Sequence, residues 1–215
     1  MKSLAVLALV GLAAFGSANL IVNGSFEDPV VDQNAQRNEY GTNDAMGAGW
    51  TVASTDSSVE LLSNAYTVSY GGDFWWTTPA GDQFVYLASF VSHSQIAQTV
   101  DLTAGVSYSF SFLSAAFKGS YGTSYGSVIY DIQDSSANSV FGGPQTIVTG
   151  DYADFSQFGN SFTASSTGAY TLTFDSIAGT AGIIDDVQLN AVPEPASIVV
   201  LSCGALAILR RRTRK

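Results

Sequence analysis

Residues 94–115 read SQIAQTVDLTAGVSYSFSFLSA and carry the pattern that decides the fold. In VSYSFSF (106–112), apolar residues alternate with serines, which places the apolar side chains on one face of an extended chain. QIAQTVDL alternates in the same way, and the Thr-Ala-Gly at 103–105 separates the two runs with a turn signal. The stretch therefore predicts two strands, each buried on one face.

The same alternation recurs in YTLTF (170–174) and in SVIYDIQD (127–134). QFVYLAS (83–89) and GIIDDVQL (182–189) are apolar enough to predict strands buried on both faces. Glycine-rich and polar breakers separate these runs, and no window keeps a 3.6-residue apolar period. Many short strands without helices between them predict an all-β fold, an antiparallel β-sandwich forming one domain over residues 19–190.

The charge is unevenly distributed along the chain. Five of the eight basic residues lie in the last six positions, whereas residues 19–192 hold seventeen Asp and Glu against two basic residues, a formal charge of −15. A body this acidic repels phosphate backbones, so we expect no binding of nucleic acid. Such acidity suits a soluble surface domain or a domain that meets divalent cations.

The N-terminal residues 1–18 predict a secretory signal peptide. Lys2 is followed by an apolar stretch and then by Gly16-Ser17-Ala18, a small-residue cleavage site. This arrangement is typical of export signals and is short for a membrane span. We therefore expect the protein to be exported.

The C-terminal residues 191–215 combine a Pro-Glu-Pro triplet, an apolar run at 196–209 and a basic tail at 210–215. Fourteen residues in a helix reach roughly 21 Å, short of the hydrocarbon core of about 30 Å. The basic tail is a strong cytoplasmic stop signal. The segment predicts a marginal transmembrane helix that orients the body outward.

No catalytic motif is recognisable in the sequence. The one histidine, His93, has no acidic sequence neighbour, and we expect it to lie in a loop or in solvent. Asp185 and Asp186 are adjacent, so in a strand they face opposite ways and cannot form a glycosidase pair. We expect a protein that is not an enzyme.

The body opens with NLIVNGSFEDP (19–29) and closes with GIIDDVQL, and in this order it resembles the galactose-binding-like jelly-roll domains of carbohydrate-binding modules. It is especially similar to plant and bacterial cell-wall domains of unknown function that open with N-G-x-F-E. The resemblance implies a jelly roll whose first and last strands are close and bridged by a structural Ca²⁺. It places the ligands at Glu27 and at Asp185 or Asp186, with Asp28 nearby. The alternative is that Glu27 and Asp28 cap a turn while one of the aspartates faces solvent.

A sugar site requires exposed aromatic rings beside hydrogen-bonding groups. The best candidates are Trp75 and Trp76, of which at most one is expected to be exposed, followed by Tyr121 and Tyr125. The alternative is that these rings only fill and rim the sandwich. We assign Trp50 to the core.

The order of Pro-Glu-Pro, short apolar helix and arginine cluster resembles the PEP-CTERM sorting signal of Gram-negative bacteria. Its motif residues are Val192, Pro193, Glu194 and Pro195, and its cluster includes Arg210, Arg211 and Arg212. The resemblance implies a membrane-embedded exosortase as processing partner. The protein would be tethered to the inner membrane before processing and reach the cell surface or extracellular space afterwards.

Together these features lead us to expect an exported, non-catalytic protein of the cell surface or extracellular matrix that binds exopolysaccharide. One alternative is a purely structural matrix protein without a defined ligand. The other is a weak carbohydrate-active enzyme.

Overall fold

The computed structural model describes residues 18–32, 36–55, 58–66, 77–88, 93–116, 126–150, 153–176 and 179–193. These residues form eleven strands, which are β1 (Arg37–Tyr40), β2 (Thr51–Thr55), β3 (Val59–Ser63), β4 (Gln83–Ala88), β5 (Ser94–Leu102), β6 (Ser107–Ala116), β7 (Gly126–Asp134), β8 (Gln145–Thr149), β9 (Ser156–Thr163), β10 (Gly168–Ser176) and β11 (Ala181–Ala191). The predicted signal-peptide and transmembrane helices lie outside the described residues.

The strands form two antiparallel sheets. The six-stranded sheet has the order β1-β3-β4-β11-β6-β9, and the five-stranded sheet has the order β2-β5-β10-β7-β8. The chain crosses repeatedly from one sheet to the other, as in a jelly roll. The predicted all-β antiparallel sandwich is therefore confirmed.

The alternating pattern places the core between the two sheets. In β6, Tyr108, Phe110 and Phe112 are buried in the main apolar cluster while the intervening serines face away from it. β5 and β10 alternate likewise, as the sequence pattern predicts, whereas β7, for which the same pattern predicts one buried face, is buried on both faces over most of its length. The sandwich core thus follows directly from the period of two.

The two strands predicted to be buried on both faces, β4 and β11, are confirmed. A second apolar cluster of Leu62, Phe84, Ala115 and Ile183 lies on the outer face of the six-stranded sheet and packs against Tyr66, Tyr86 and Phe155. This cluster buries Phe84 of β4 and Ile183 of β11 on the face turned away from the main core, whereas the polar side chains of Gln188 and Asn190, further along β11, are only half-buried.

Trp50 lies in the core, as predicted. Its side chain is 1% exposed, and its ring centroid lies 5.1 Å from that of Phe26 and 6.1 Å from that of Phe174. Its indole N–H donates to the carbonyl oxygen of Asn23 at 3.1 Å, which satisfies the one polar atom that burial would otherwise leave unpaired.

The first residues of the body lie beside the last strand. The N–H of Leu20 donates to the carbonyl oxygen of Leu189 at 2.9 Å. The Asn19 side chain accepts from the N–H of Leu189 at 2.8 Å and donates to the carbonyl oxygen of Val187 at 3.0 Å. These hydrogen bonds hold the two ends of the domain together.

Among the described residues, no helix has the length and apolarity that a membrane span requires.

Candidate functional site

The opening NGSFEDP forms a fixed loop, and each of its motif residues has a structural task. The Asn23 side chain accepts from the N–H of Asp28 at 3.1 Å and donates to its carbonyl oxygen, which closes the loop. A Cβ on Gly24 would lie 2.1 Å from the carbonyl oxygen of Val187, so only glycine fits against β11. Phe26 contributes its ring to the core beside Trp50.

Gln83, at the start of β4, holds this loop from inside the protein. Its side chain is 3% exposed, accepts from the N–H of Val31 at 2.6 Å and donates to the carbonyl oxygens of Phe26 at 2.7 Å and Pro29 at 3.0 Å. Three backbone groups of the opening loop are thereby satisfied. Sequence pattern does not identify this glutamine, because its partners lie more than fifty residues away along the chain.

Glu27 and Asp185 are close enough for the charge of one to act on the other. One oxygen of Glu27 accepts from the N–H groups of Asp82 at 2.8 Å and Gln83 at 3.0 Å. Asp185 is fully buried and accepts from the hydroxyl of Thr78 and from the N–H of Asp186 at 2.7 Å. Burial raises the pKa of Asp185 to about 7; its hydrogen bonds oppose this shift, and the negative charges of Asp186 and Glu27 add to it.

The four residues predicted as metal ligands do not all converge. Asp186 lies at an irregularity in the β11–β6 pairing, and both its carboxylate oxygens accept from Gln188 at 2.9 Å. Asp28 is exposed, and its charge acts on Tyr40 rather than on Asp185. Within the described part of the chain, no three His, Cys, Asp or Glu residues are grouped as a metal site. Glu27, Asp185 and Thr78 nevertheless offer hard oxygen donors, which are the donors that Ca²⁺ prefers.

A polar groove lies over β6 and β9, at one edge of the six-stranded sheet. It has a volume of about 660 Å³ and is lined by residues 109–111 of β6 and 157–161 of β9. Ser109 pairs in register with Ser161, and Ser111 with Gly159. On the other side of β6, Asn190 and Gln188 of β11 continue the same two rows. The surface is therefore made of hydroxyl and amide groups.

Gly159 allows β9 to approach β6 at the bottom of this polar groove. A Cβ at this position would lie 2.2 Å from the carbonyl oxygen of Phe110 and 2.9 Å from the Cα of Ser111. An isolated glycine inside a strand is the one sequence signal that could have indicated the groove. The alternating serines of β6 do not indicate a groove, because such serines also occur on any sheet face that is exposed to solvent.

The opposite half of the same sheet carries a tyrosine–arginine patch, formed by Arg37, Glu60, Tyr66 and Tyr86. Arg37 lies 2.8 Å from Glu39 and 3.7 Å from Glu60, and it donates to the hydroxyl of Tyr66 at 3.3 Å. Tyr86 is opposite Glu60 in the β3–β4 register, and burial raises its pKa. The rings of Tyr66 and Tyr86 are half-buried and rest on the outer apolar cluster.

The predicted sugar-contacting residues Trp75, Trp76, Tyr121 and Tyr125 lie outside the described residues. The ends that flank residues 67–76 are described: Tyr66 belongs to the tyrosine–arginine patch, and Thr78 contacts Asp185. Of the sorting motif, only Val192 and Pro193 are described, while Glu194, Pro195, Arg210, Arg211 and Arg212 are not. The N–H of Val192 donates to the carbonyl oxygen of Ser107 at 2.8 Å, so the sandwich extends to the start of that motif.

His93 has an acidic neighbour that its sequence context does not show. Its Nδ1 lies 3.0 Å from a carboxylate oxygen of Asp175 on β10, and Gln95 donates to the same oxygen at 3.4 Å. The histidine itself is half-exposed and precedes β5, as expected of a loop residue. The register of β5 with β10, which pairs Gln95 with Asp175, brings the two groups together.

Comparison with known proteins identifies the family. Residues 19–190 match the family described as Protein of unknown function (DUF642), and the chain belongs to it. No curated protein matches the chain.

The solved structures that the chain resembles include carbohydrate-binding modules. TmCBM61, solved in complex with beta-1,4-galactotriose, has 18% identity and a TM-score of 0.44, and the match covers 82% of this chain and 100% of that one. The CBM22-1 xylan-binding domain of Paenibacillus barcinonensis Xyn10C has 10% identity and a TM-score of 0.45, over 74% and 94% of the two chains. At these values the likeness concerns the sandwich fold and carries no information on ligands.

Proposed function

We propose that this protein is an exported, non-catalytic surface or matrix protein that binds polysaccharide in the polar groove over β6 and β9. The observation that carries the proposal is the lining of the groove by the hydroxyl and amide side chains of Ser109, Ser111, Gln157 and Ser161, which the register places on the outer face of the sheet. Such groups donate and accept hydrogen bonds at once, as sugar hydroxyls do.

The binding experiment is native electrophoresis of the purified chain through gels that contain soluble polysaccharides. We expect retardation that weakens about 3- to 10-fold in Gln157→Ala and in Ser161→Leu, because each removes hydrogen-bonding groups from the groove. Thr99→Leu is the matched control, since Thr99 is exposed on the five-stranded sheet. A chain that no polysaccharide retards would contradict the proposal and favour a purely structural matrix protein.

The proposal includes sorting by the C-terminal segment, with an exosortase as processing partner. It rests on the Pro-Glu-Pro triplet, the apolar run and the arginine cluster. The last strand, β11, ends at Ala191, two residues before the triplet begins at Pro193. Mass spectrometry of the mature exported protein is the test. We expect the RRRTRK end to be missing, and an intact end would contradict processing.

We further propose that a structural Ca²⁺ is held by Glu27 and Asp185, with backbone carbonyls completing its ligands. Support comes from the fully buried carboxylate of Asp185, on which the negative charge of Glu27 also acts. A cation bound there would offset the charge that burial disfavours. We expect excess calcium to raise the melting temperature of the purified chain over that in chelator, and Asp185→Asn to abolish the difference. Equal melting temperatures for the unaltered chain would refute the site.

A further inference from the structure

The polar groove contains no charged side chain. Its lining residues, 109–111 and 157–161, are serine, phenylalanine, glutamine, glycine and asparagine. The neighbouring row on β11 offers the amides of Gln188 and Asn190, and Gln188 is itself bound to the carboxylate of Asp186. The nearest charge that this row introduces is therefore negative.

No cation on the described surface is free to balance an anionic ligand. Among the described residues Arg37 is the only Lys or Arg, and it lies on β1, at the opposite edge of the six-stranded sheet from β9. Its guanidinium already faces two carboxylates, those of Glu39 and Glu60, and the hydroxyl of Tyr66. The patch around it thus remains net negative.

From these two observations we infer that the ligand of the polar groove is a neutral polysaccharide and that uronate-containing and sulfated chains are excluded. This inference rests on the proposed function and specifies its substrate class. Each carboxylate or sulfate of an anionic chain would enter the field of a body with a formal charge of −15 and would lose hydration without gaining a cationic partner among the described residues. A neutral chain meets hydroxyl and amide partners and experiences no such repulsion.

The test uses pairs of polysaccharides that share a backbone and differ in charge: hydroxyethyl cellulose with carboxymethyl cellulose, and dextran with dextran sulfate. Affinity electrophoresis of the purified chain is run at 50 and 500 mM NaCl. We expect the retained backbone to bind at least about tenfold more tightly in its neutral form at low salt, since several unscreened like charges act together. The ratio of the affinities for the neutral and the anionic polysaccharide should decrease at high salt, while the affinity for the neutral polysaccharide itself should change less than twofold.

Two variants with the same change in net charge separate a local effect from a global one. Gln157→Lys places a cation in the polar groove, and Thr99→Lys places one on the five-stranded sheet. We expect only Gln157→Lys to gain at least about fivefold in affinity for the anionic member of the retained pair. Circular dichroism checks that both variants remain folded.

The outcomes are distinguishable. Tighter binding of an anionic member than of its neutral partner, weakening as salt rises, would overturn the inference and leave polysaccharide binding intact. Equal gains from Gln157→Lys and Thr99→Lys would overturn the assignment of specificity to the groove. Binding of no member of either pair would contradict the inference and also the proposed function on which it rests.

Discussion

We expect Gln83→Met to be among the most destabilising single substitutions in the sandwich, although it preserves side-chain length and removes no apolar contact. The amide of Gln83 is bonded to the N–H of Val31 and to the carbonyl oxygens of Phe26 and Pro29. Removing it leaves the groups of Val31 and Phe26, both in residues 1% exposed, without partners. Each buried group left without a hydrogen bond lowers the free energy of unfolding by about 1–3 kcal/mol, whereas the part-buried carbonyl oxygen of Pro29 can accept a hydrogen bond from water instead.

The expected loss in free energy of unfolding is therefore about 3–5 kcal/mol. With a urea m-value of about 2 kcal/mol/M, the midpoint falls by about 2 M. The assay is urea unfolding followed by far-UV circular dichroism, with the melting temperature as a second measurement.

Gln98→Met is the matched control. Gln98 is equally buried, but its amide contacts a single residue, bonding the N–H of Val22 at 2.7 Å and its carbonyl oxygen at 2.9 Å. Val22 is 53% exposed, so water can replace part of what is lost, and we expect about 1–2 kcal/mol. If Gln83→Met costs less than 1 kcal/mol, or no more than Gln98→Met, the reasoning that the glutamine holds the opening loop is refuted.

Three further predictions concern the same end of the sandwich. Gly24→Ala should cost at least about 2 kcal/mol in urea unfolding, because its Cβ would strike the carbonyl of Val187, whereas Gly150→Ala, with open space around it, should change stability by less than about 0.5 kcal/mol. In chelator, stability should fall by up to about 4 kcal/mol between pH 4 and 7, because Asp185 keeps its proton in the folded chain after the unfolded chain has lost it. A flat pH profile, or an unchanged slope in Asp185→Asn, would contradict this. Thr78→Val removes a hydroxyl donor that lowers the pKa of Asp185 in the folded chain, so the decline should begin at the same pH and extend to higher pH; a decline that ends at lower pH would count against the assigned hydrogen bond.

Much of the fold could be predicted from local pattern. Six strands coincide with runs of apolar residues that are long enough to be recognised as strands in the sequence; they are β4, β5, β6, β7, β10 and β11. β1, β2, β3 and β8 have only four or five residues, and β9 is polar and largely exposed, so their patterns are too short or too weak. These strands are added because a neighbouring strand offers them backbone hydrogen bonds.

The site was less accessible to prediction. The motif NGSFE could be recognised, but its strongest contacts, to Gln83, Asp82 and Val187, come from distant parts of the chain. The pairing of His93 with Asp175 across β5 and β10 depends likewise on strand register.

By itself, the sequence determined the all-β class, the buried faces of the long strands, the core position of Trp50 and the acidity of the body. These follow from periodicity and composition, which are local or additive properties of the chain. The tertiary structure alone decided that Asp185 is buried near Glu27, that Arg37 forms ion pairs with two glutamates, and that β6 and β9 border an uncharged groove. Such features depend on which strands become neighbours, and that choice is made by the packing of the whole domain rather than by any one segment.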